Sequence, residues 1–270
     1  MSSDPVTPES LLPALAAQLN IAVDWAKNAE DTEGFGEQAE DLCVHYRAMA
    51  ICLLVSEGDV DAFFHWLLHS PIMRKFFLAR ARAENLATSR HVGASFVDPV
   101  LDAVAARQWK LATDICALAS PTWMEGFEYE DDFCYGDFIR RIVCQQTDGF
   151  DDLFARWHAS LEGGHDTRLV VAKALRAGEA SDFESNLRTL LAEREEKARA
   201  IADPLKRSIL ADELPFYPNR WVSIDGLALL ALAERQGIIV DDEINACPRM
   251  VRTGEYAPFL PRAYPDLGID

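Results

Sequence analysis

Carboxylates crowd one short stretch of this 270-residue chain. The run Glu125-Gly-Phe-Glu-Tyr-Glu-Asp-Asp-Phe-Cys-Tyr135, followed by Asp137, holds Glu125, Glu128, Glu130, Asp131, Asp132 and Asp137. Two chemistries use such a set. Hard carboxylate oxygens coordinate Mg²⁺ or Ca²⁺, but the alternation of acids leading to a glycine in a calcium loop is not met here. In the other, acids interleaved with Phe127, Tyr129, Phe133 and Tyr135 form an anionic surface. Its aromatics supply contact area, and its carboxylates pair with Lys and Arg of a partner. A plainer role accounts for part of the set, because acids in the first turn of a helix favour its dipole. That covers Glu130 to Asp132 and leaves the rest. The expectation is a partner contact through Glu125, Glu128, Tyr129, Glu130, Asp131, Asp132 and Asp137.

His65 and His69 stand four apart as His-Trp-Leu-Leu-His, with Asp61 one turn earlier. On a helix both imidazoles share a face and could chelate a metal. Trp66 stands where a zinc-protease motif carries its general-base Glu. The spacing serves equally for two histidines packed at a semi-polar helix interface. A hydrolase using these histidines with the 125–137 acids is one alternative to partner binding, and a helical adaptor is another. The chain carries no Gly-x-Gly-x-x-Gly, no phosphate-binding Gly-x-x-x-x-Gly-Lys-Ser/Thr and no Gly-x-Ser-x-Gly. The expectation is therefore a non-enzyme with no cofactor and no resident metal.

Whatever positions these groups is helical, because apolar residues recur at three- and four-residue steps nearly throughout. Leu11, Leu15 and Leu19 follow a Thr7-Pro8 start. The segment 31–36 reads as a break, with a long helix from about Glu37 to Glu57 closed by Gly58. Asp59 caps the next helix, and Ser70-Pro71 reads as a restart. Asp98-Pro99 reads as a cap, and Ser181-Asp-Phe-Glu184 as a capping box. Glu193 to Arg199 looks like a solvated helix face. The fold class is all-α: one large domain of antiparallel helical hairpins, about ten helices. An N-terminal helix and linker (1–33) precede the main helical domain (34–250), and a Pro-rich irregular tail (251–270) follows.

The formal net charge is −18, from 26 Lys and Arg against 44 Asp and Glu. Such a field disfavours phosphate backbones and anionic lipid and favours a cationic protein. Nucleic acid and membrane are therefore not expected partners. The 6 cysteines include no Cys-x-x-Cys pair, and most sit on apolar helix faces, as free thiols do in a reducing compartment. The opening residues have no basic stretch before an apolar run, and no apolar run nears the ~20 residues of a membrane span. A cytoplasmic location is expected.

The run Trp109 to Trp123, then Tyr129-Glu-Asp-Asp-Phe-Cys-Tyr135, and later Ser223 to Gly237 with Cys247-Pro248, resembles bacterial immunity proteins of the Imm49 family. The likeness covers about residues 35 to 250. It implies a cytoplasmic helical antidote that binds a cognate toxin domain and occludes its active site. No catalytic residues come with it. Tyr129, Glu130, Asp131, Asp132, Phe133 and Tyr135 match the motif, with Phe133 and Tyr135 expected in the core.

Overall fold

The computed structural model describes residues 6–202 and 211–253. Within them lie α1 (Pro8–Lys27), α2 (Thr32–Glu57), α3 (Val60–Ala83), α4 (Asp98–Ala105), α5 (Trp109–Leu118) and α6 (Glu130–Val143). After these come α7 (Phe150–Ser160), α8 (Thr167–Ala177), α9 (Ala180–Ala202), α10 (Ile224–Arg235) and the short α11 (Arg249–Thr253). Two 3₁₀ segments, Arg90–Val92 and Ala211–Arg220, connect them. No strand occurs among the described residues beyond one isolated bridge between Ile244 and Cys247. The chain is all-α, as its periodicity predicts, and no described helix is long and apolar enough to cross a membrane.

The long antiparallel pair α2 and α3 forms the centre, with α1 against α2 and α4 and α5 against α3. Leu15, Leu42, Ile51, Phe63, Phe64, Leu67 and Phe77 fill the space between them and are inaccessible to solvent or nearly so. Each such side chain contributes about 1.5–3 kcal/mol by leaving water. A second layer packs α6 on α7 and α8 on α9, where Phe138, Trp157 and Phe183 are fully buried. Leu11, Leu15 and Leu19 of α1 belong to the same core cluster, and α2 runs across residue 33. The boundary drawn at 33/34 thus falls inside a helix. The tail beyond Thr253 lies outside the described residues.

Several local expectations are corrected by packing. The helix α2 starts at Thr32, because the Asp31 carboxylate accepts from the Gly34 amide at 2.7 Å. Gly36 is not a breaker: a Cβ there would sit 2.9 Å from the His91 and Phe77 rings, so the glycine permits close packing. Pro71 does not restart a helix but lies buried within α3. The proline leaves one carbonyl without its helical donor, and the helix continues through it within the core. Ser181 caps nothing, since α9 already begins at Ala180 and the Phe183 amide bonds the Glu179 carbonyl at 2.9 Å. Glu184 pairs instead with Arg188 at 2.7 Å. Asp98 is the first helical residue of α4 rather than its cap, so its carboxylate is free to point elsewhere.

Gly136 sets how closely α6 approaches the 93–95 segment. A Cβ at this position would lie 2.1 Å from the Ala94 carbonyl oxygen. Backbone cannot yield as a flexible side chain does, so overpacking applies. Gly136→Ala should lower unfolding stability by about 1–3 kcal/mol in urea titrations, with circular dichroism still helical. An unchanged midpoint would mean that α6 stands further from this segment.

Candidate functional site

The acidic segment divides into internal braces and an exposed tip. Glu128 is buried: its carboxylate accepts from the Ser95 amide at 2.9 Å and the Met124 amide at 3.1 Å. The Trp123 indole donates to the Glu128 carbonyl at 3.1 Å, which closes the loop onto itself. Asp137 is also buried, held by Arg140 and Arg141 from the next turn of α6. Glu130 pairs with Arg156 of α7 at 2.7 Å. Arg168 of α8 bridges Asp131 at 2.9 Å, Asp132 at 2.7 Å and Asp166 at 2.9 Å. Its guanidinium also lies over the Tyr135 ring.

The contact set expected from sequence is therefore corrected. Glu128 and Asp137 are enclosed, and Glu130, Asp131 and Asp132 are already matched by internal arginines. Glu125 and Tyr129 remain exposed, and Phe127 joins them. Phe127 is 67% and Tyr129 80% accessible, the two most exposed aromatic side chains of the 123–135 stretch. Phe133 and Tyr135 are core, as expected. Because Glu128 pins the loop between them, the two exposed rings stand on a braced support rather than a free one.

A second polar constellation lies deeper, built by Arg47, Asp98, Asp102, Arg194 and Asp225. Arg47 of α2 is buried and donates through Nε to Asp102 of α4 at 2.7 Å. Its terminal nitrogens meet the Asp98 carboxylate at 3.0 Å, the Asp98 carbonyl at 2.7 Å and Asp225 of α10 at 3.5 Å. Ser70 of α3 donates to the other oxygen of Asp102 at 2.5 Å. Asp225 in turn pairs with Arg194 of α9. The stretch 193–199 is thus not merely solvated, since Arg194 reaches inward. Five helices meet at this cluster.

Two arginines face three aspartates, so one negative charge is in surplus. Burial pushes Asp102 up to about 7 even though Arg47 pulls the other way. Burial likewise raises Asp98 against the pull of Arg47, with repulsion from Asp225 adding to it. For Asp225 burial is overcome by Arg194 and Arg47, and its carboxyl stays below the ordinary range. The Tyr135 hydroxyl, buried and within electrostatic reach of Asp225 and Arg194, has no hydrogen-bond partner. Beside this cluster a cavity of about 270 Å³ opens between α9, α10 and the 3₁₀ segment, and Arg47, Asp98, Arg194 and Asp225 line it.

The histidine pair is a packing device. The rings of His65 and His69 lie 4.9 Å apart, and His69 Nδ1 bonds the His65 carbonyl at 2.8 Å. His69 stacks on Tyr46 at 4.8 Å and on Trp66 at 5.9 Å. Burial lowers the His65 pKa, which favours a neutral ring. Among the described residues no three His, Cys, Asp or Glu side chains are placed to hold a metal ion. The cysteines are free, and Cys144 at the end of α6 is the one that is not fully buried. A hydrogen bond from Cys116 and the charges of Arg140 and Arg235 lower its pKa to about 7 against the effect of burial.

No protein-family model, curated protein or solved structure matches this chain.

The charge count around Arg47 has consequences for stability. Arg47→Met leaves the buried Asp102 carboxylate without a cation and should cost about 3–5 kcal/mol in denaturant titrations. Asp98→Asn removes the surplus charge and should leave stability unchanged or raised. The folded-state pKa of Asp102 exceeds its ordinary 3.8, so its contribution is complete at acid pH and is lost as pH rises through about 7. The melting temperature of the wild type should therefore fall between about pH 4 and about pH 7 more steeply than that of Asp98→Asn. Parallel curves would contradict the charge surplus.

Proposed function

We propose that this chain is a partner-binding protein that neutralises a basic protein domain, in the manner of a bacterial antidote to a toxin. The observation that carries the reading is the pair Phe127 and Tyr129, exposed on a loop that the buried Glu128 carboxylate holds in place. Exposed aromatic side chains are the usual anchors of protein interfaces. A support that is already ordered lowers the entropy lost on docking. Glu125 lies at the same tip. The net charge of −18 supplies a long-range field that draws in a cationic partner and speeds encounter. The family likeness of the Tyr129 to Tyr135 motif supports the same class. In this reading the protein acts by covering the partner's active surface and performs no reaction of its own.

The test is association with the product of whichever gene neighbours this one, measured by calorimetry together with inhibition of that product's activity. Phe127→Ala and Tyr129→Ala should each weaken binding by about 10–100-fold, the range of interface anchors. Glu125→Lys should mainly slow association, and raising salt should do the same. Binding that both alanine variants leave intact would remove this face. An absence of association and of protection at low salt would remove the antidote reading altogether.

A further inference from the structure

Two of the free cysteines meet. Cys116 lies on α5 and Cys144 caps the C-terminus of α6, and these helices pack on each other. The Cys116 thiol donates to the Cys144 sulfur, so two positions far apart in sequence come into direct contact. Cys43 and Cys247 spend their thiols differently, on the backbone carbonyls of Ser70 at 3.2 Å and Ser223 at 3.9 Å.

Cys144 is held in place. Its amide bonds the Arg140 carbonyl at 2.9 Å, and the chain turns at once through a left-handed Gln145. The Gln146 amide then bonds the Arg141 carbonyl at 2.9 Å. Two fixed cations bear on the sulfur. Arg140 is anchored by Asp137, and Arg235 of α10 donates to the Val143 carbonyl at 3.1 Å and lies 4.4 Å over the Trp109 ring. The hydrogen bond from Cys116, with these charges, brings the Cys144 pKa to about 7, so a large share is thiolate at neutral pH. Cys116 is the complement, since its bond to Cys144 and its burial keep it protonated. Cys134, between them in sequence, has its pKa raised to about 11 by burial. Both sulfurs of the pair are approachable. Cys144 is half-buried, and Cys116 lines a cavity of about 450 Å³ whose wall includes the exposed Arg82 and Pro121.

We infer that Cys116 and Cys144 form a redox-active pair, which a hydroperoxide oxidises to a disulfide tying α5 to α6. Cys144 is the attacking thiolate. Its sulfur bonds one peroxide oxygen, the O–O bond breaks, and the other oxygen leaves with a proton as water or an alcohol. Cys144 is then a sulfenic acid. The Cys116 sulfur attacks the Cys144 sulfur. The S–S bond forms, the S–O bond breaks, and the departing hydroxide takes the Cys116 proton as water. The two sulfurs together lose two electrons, and the peroxide gains them. A thiol reductant reverses the bond by exchange. The disulfide encloses residues 117–143, which carry Glu128 and the exposed Phe127 and Tyr129. It fastens the base of that segment and restricts the unfolded chain.

The test is treatment of the full reduced chain with a small excess of hydrogen peroxide, then alkylation in denaturant and digestion with trypsin and a glutamate-specific protease. Together these enzymes put Cys116, Cys134 and Cys144 on separate peptides. The expected product is a cross-linked pair of the Cys116 and Cys144 peptides, short of two hydrogen atoms. The oxidised chain should melt about 5–10 °C higher, and dithiothreitol should restore the original value. Cys144→Ser should leave Cys116 reduced, and Cys116→Ser should leave a sulfenic acid on Cys144 that dimedone traps. Should either variant not fold, the peptide map of the wild type decides alone. The inference fails if both thiols stay free, if Cys144 proceeds to a sulfinic acid without joining Cys116, or if the cross-link joins another cysteine or another chain. Phe127 and Tyr129 take no part in this chemistry, so this inference and the proposed partner contact fail independently.

Discussion

One buried guanidinium organises this fold. Arg47 lies in the centre of α2 and is satisfied by carboxylates from α4 and α10, while Ser70 of α3 and Arg194 of α9 complete the set. A charge in such a place is tolerable only if its donors are matched, since an unmatched one is expensive in a low-dielectric interior. The arrangement therefore fixes the mutual positions of five helices more tightly than apolar contact alone. Apolar side chains can slide and repack, whereas a fork of directed donors accepts few alternatives. Buried pairs of this type bring little net stability over a well-packed apolar core. Their contribution here is to geometry, and the geometry includes a cavity with an accessible carboxylate.

The same logic, run nearer the surface, explains the acidic segment. Six acids between 125 and 137 look like a docking face when read in one dimension. In three dimensions Arg156, Arg168, Arg140 and Arg141 arrive from α6, α7 and α8 and absorb most of them. Glu128 spends its charge on two backbone amides. What is left for a partner is a tip carrying Glu125, Phe127 and Tyr129. The acids thus serve recognition indirectly, by holding still the residues that would make contact. The remaining surplus of negative charge is a property of the whole chain, and it acts through the field rather than through one patch.

Much of the fold was legible in the sequence because helical periodicity is local. Thr7 and Asp59 cap helices as their positions suggest, and Gly58 closes α2 in the left-handed conformation. The failures were tertiary. Pro71 and Gly36 break helices in isolation, yet packing carries α3 through the first, and the close approach of His91 and Phe77 requires the second. The Arg47 cluster was missed altogether, although it leaves a trace. Arg47, Asp102 and Asp225 are each a single charge within an apolar helical run, and such charges need partners. Reading those three together would have found the deep site. The expectation of a core Phe133 and Tyr135 and an exposed Tyr129 holds, whereas Phe127 was not singled out, because the turn at Gly126 and the anchoring of Glu128 decide its exposure.

The account rests on a cluster in which three carboxyl groups face two guanidiniums, so that one carboxyl group is left without a cation. The most direct measurement is the titration of the individual carboxyl groups of Asp98, Asp102 and Asp225 by carbon-detected NMR on the intact protein. The account requires one proton to be retained among Asp98 and Asp102 into the neutral range, while Asp225 ionises below the ordinary carboxylate range. If all three groups ionise at or below the ordinary carboxylate range with no later step, a further positive charge must compensate the third carboxylate, and the count of two guanidiniums against three carboxyl groups would not stand.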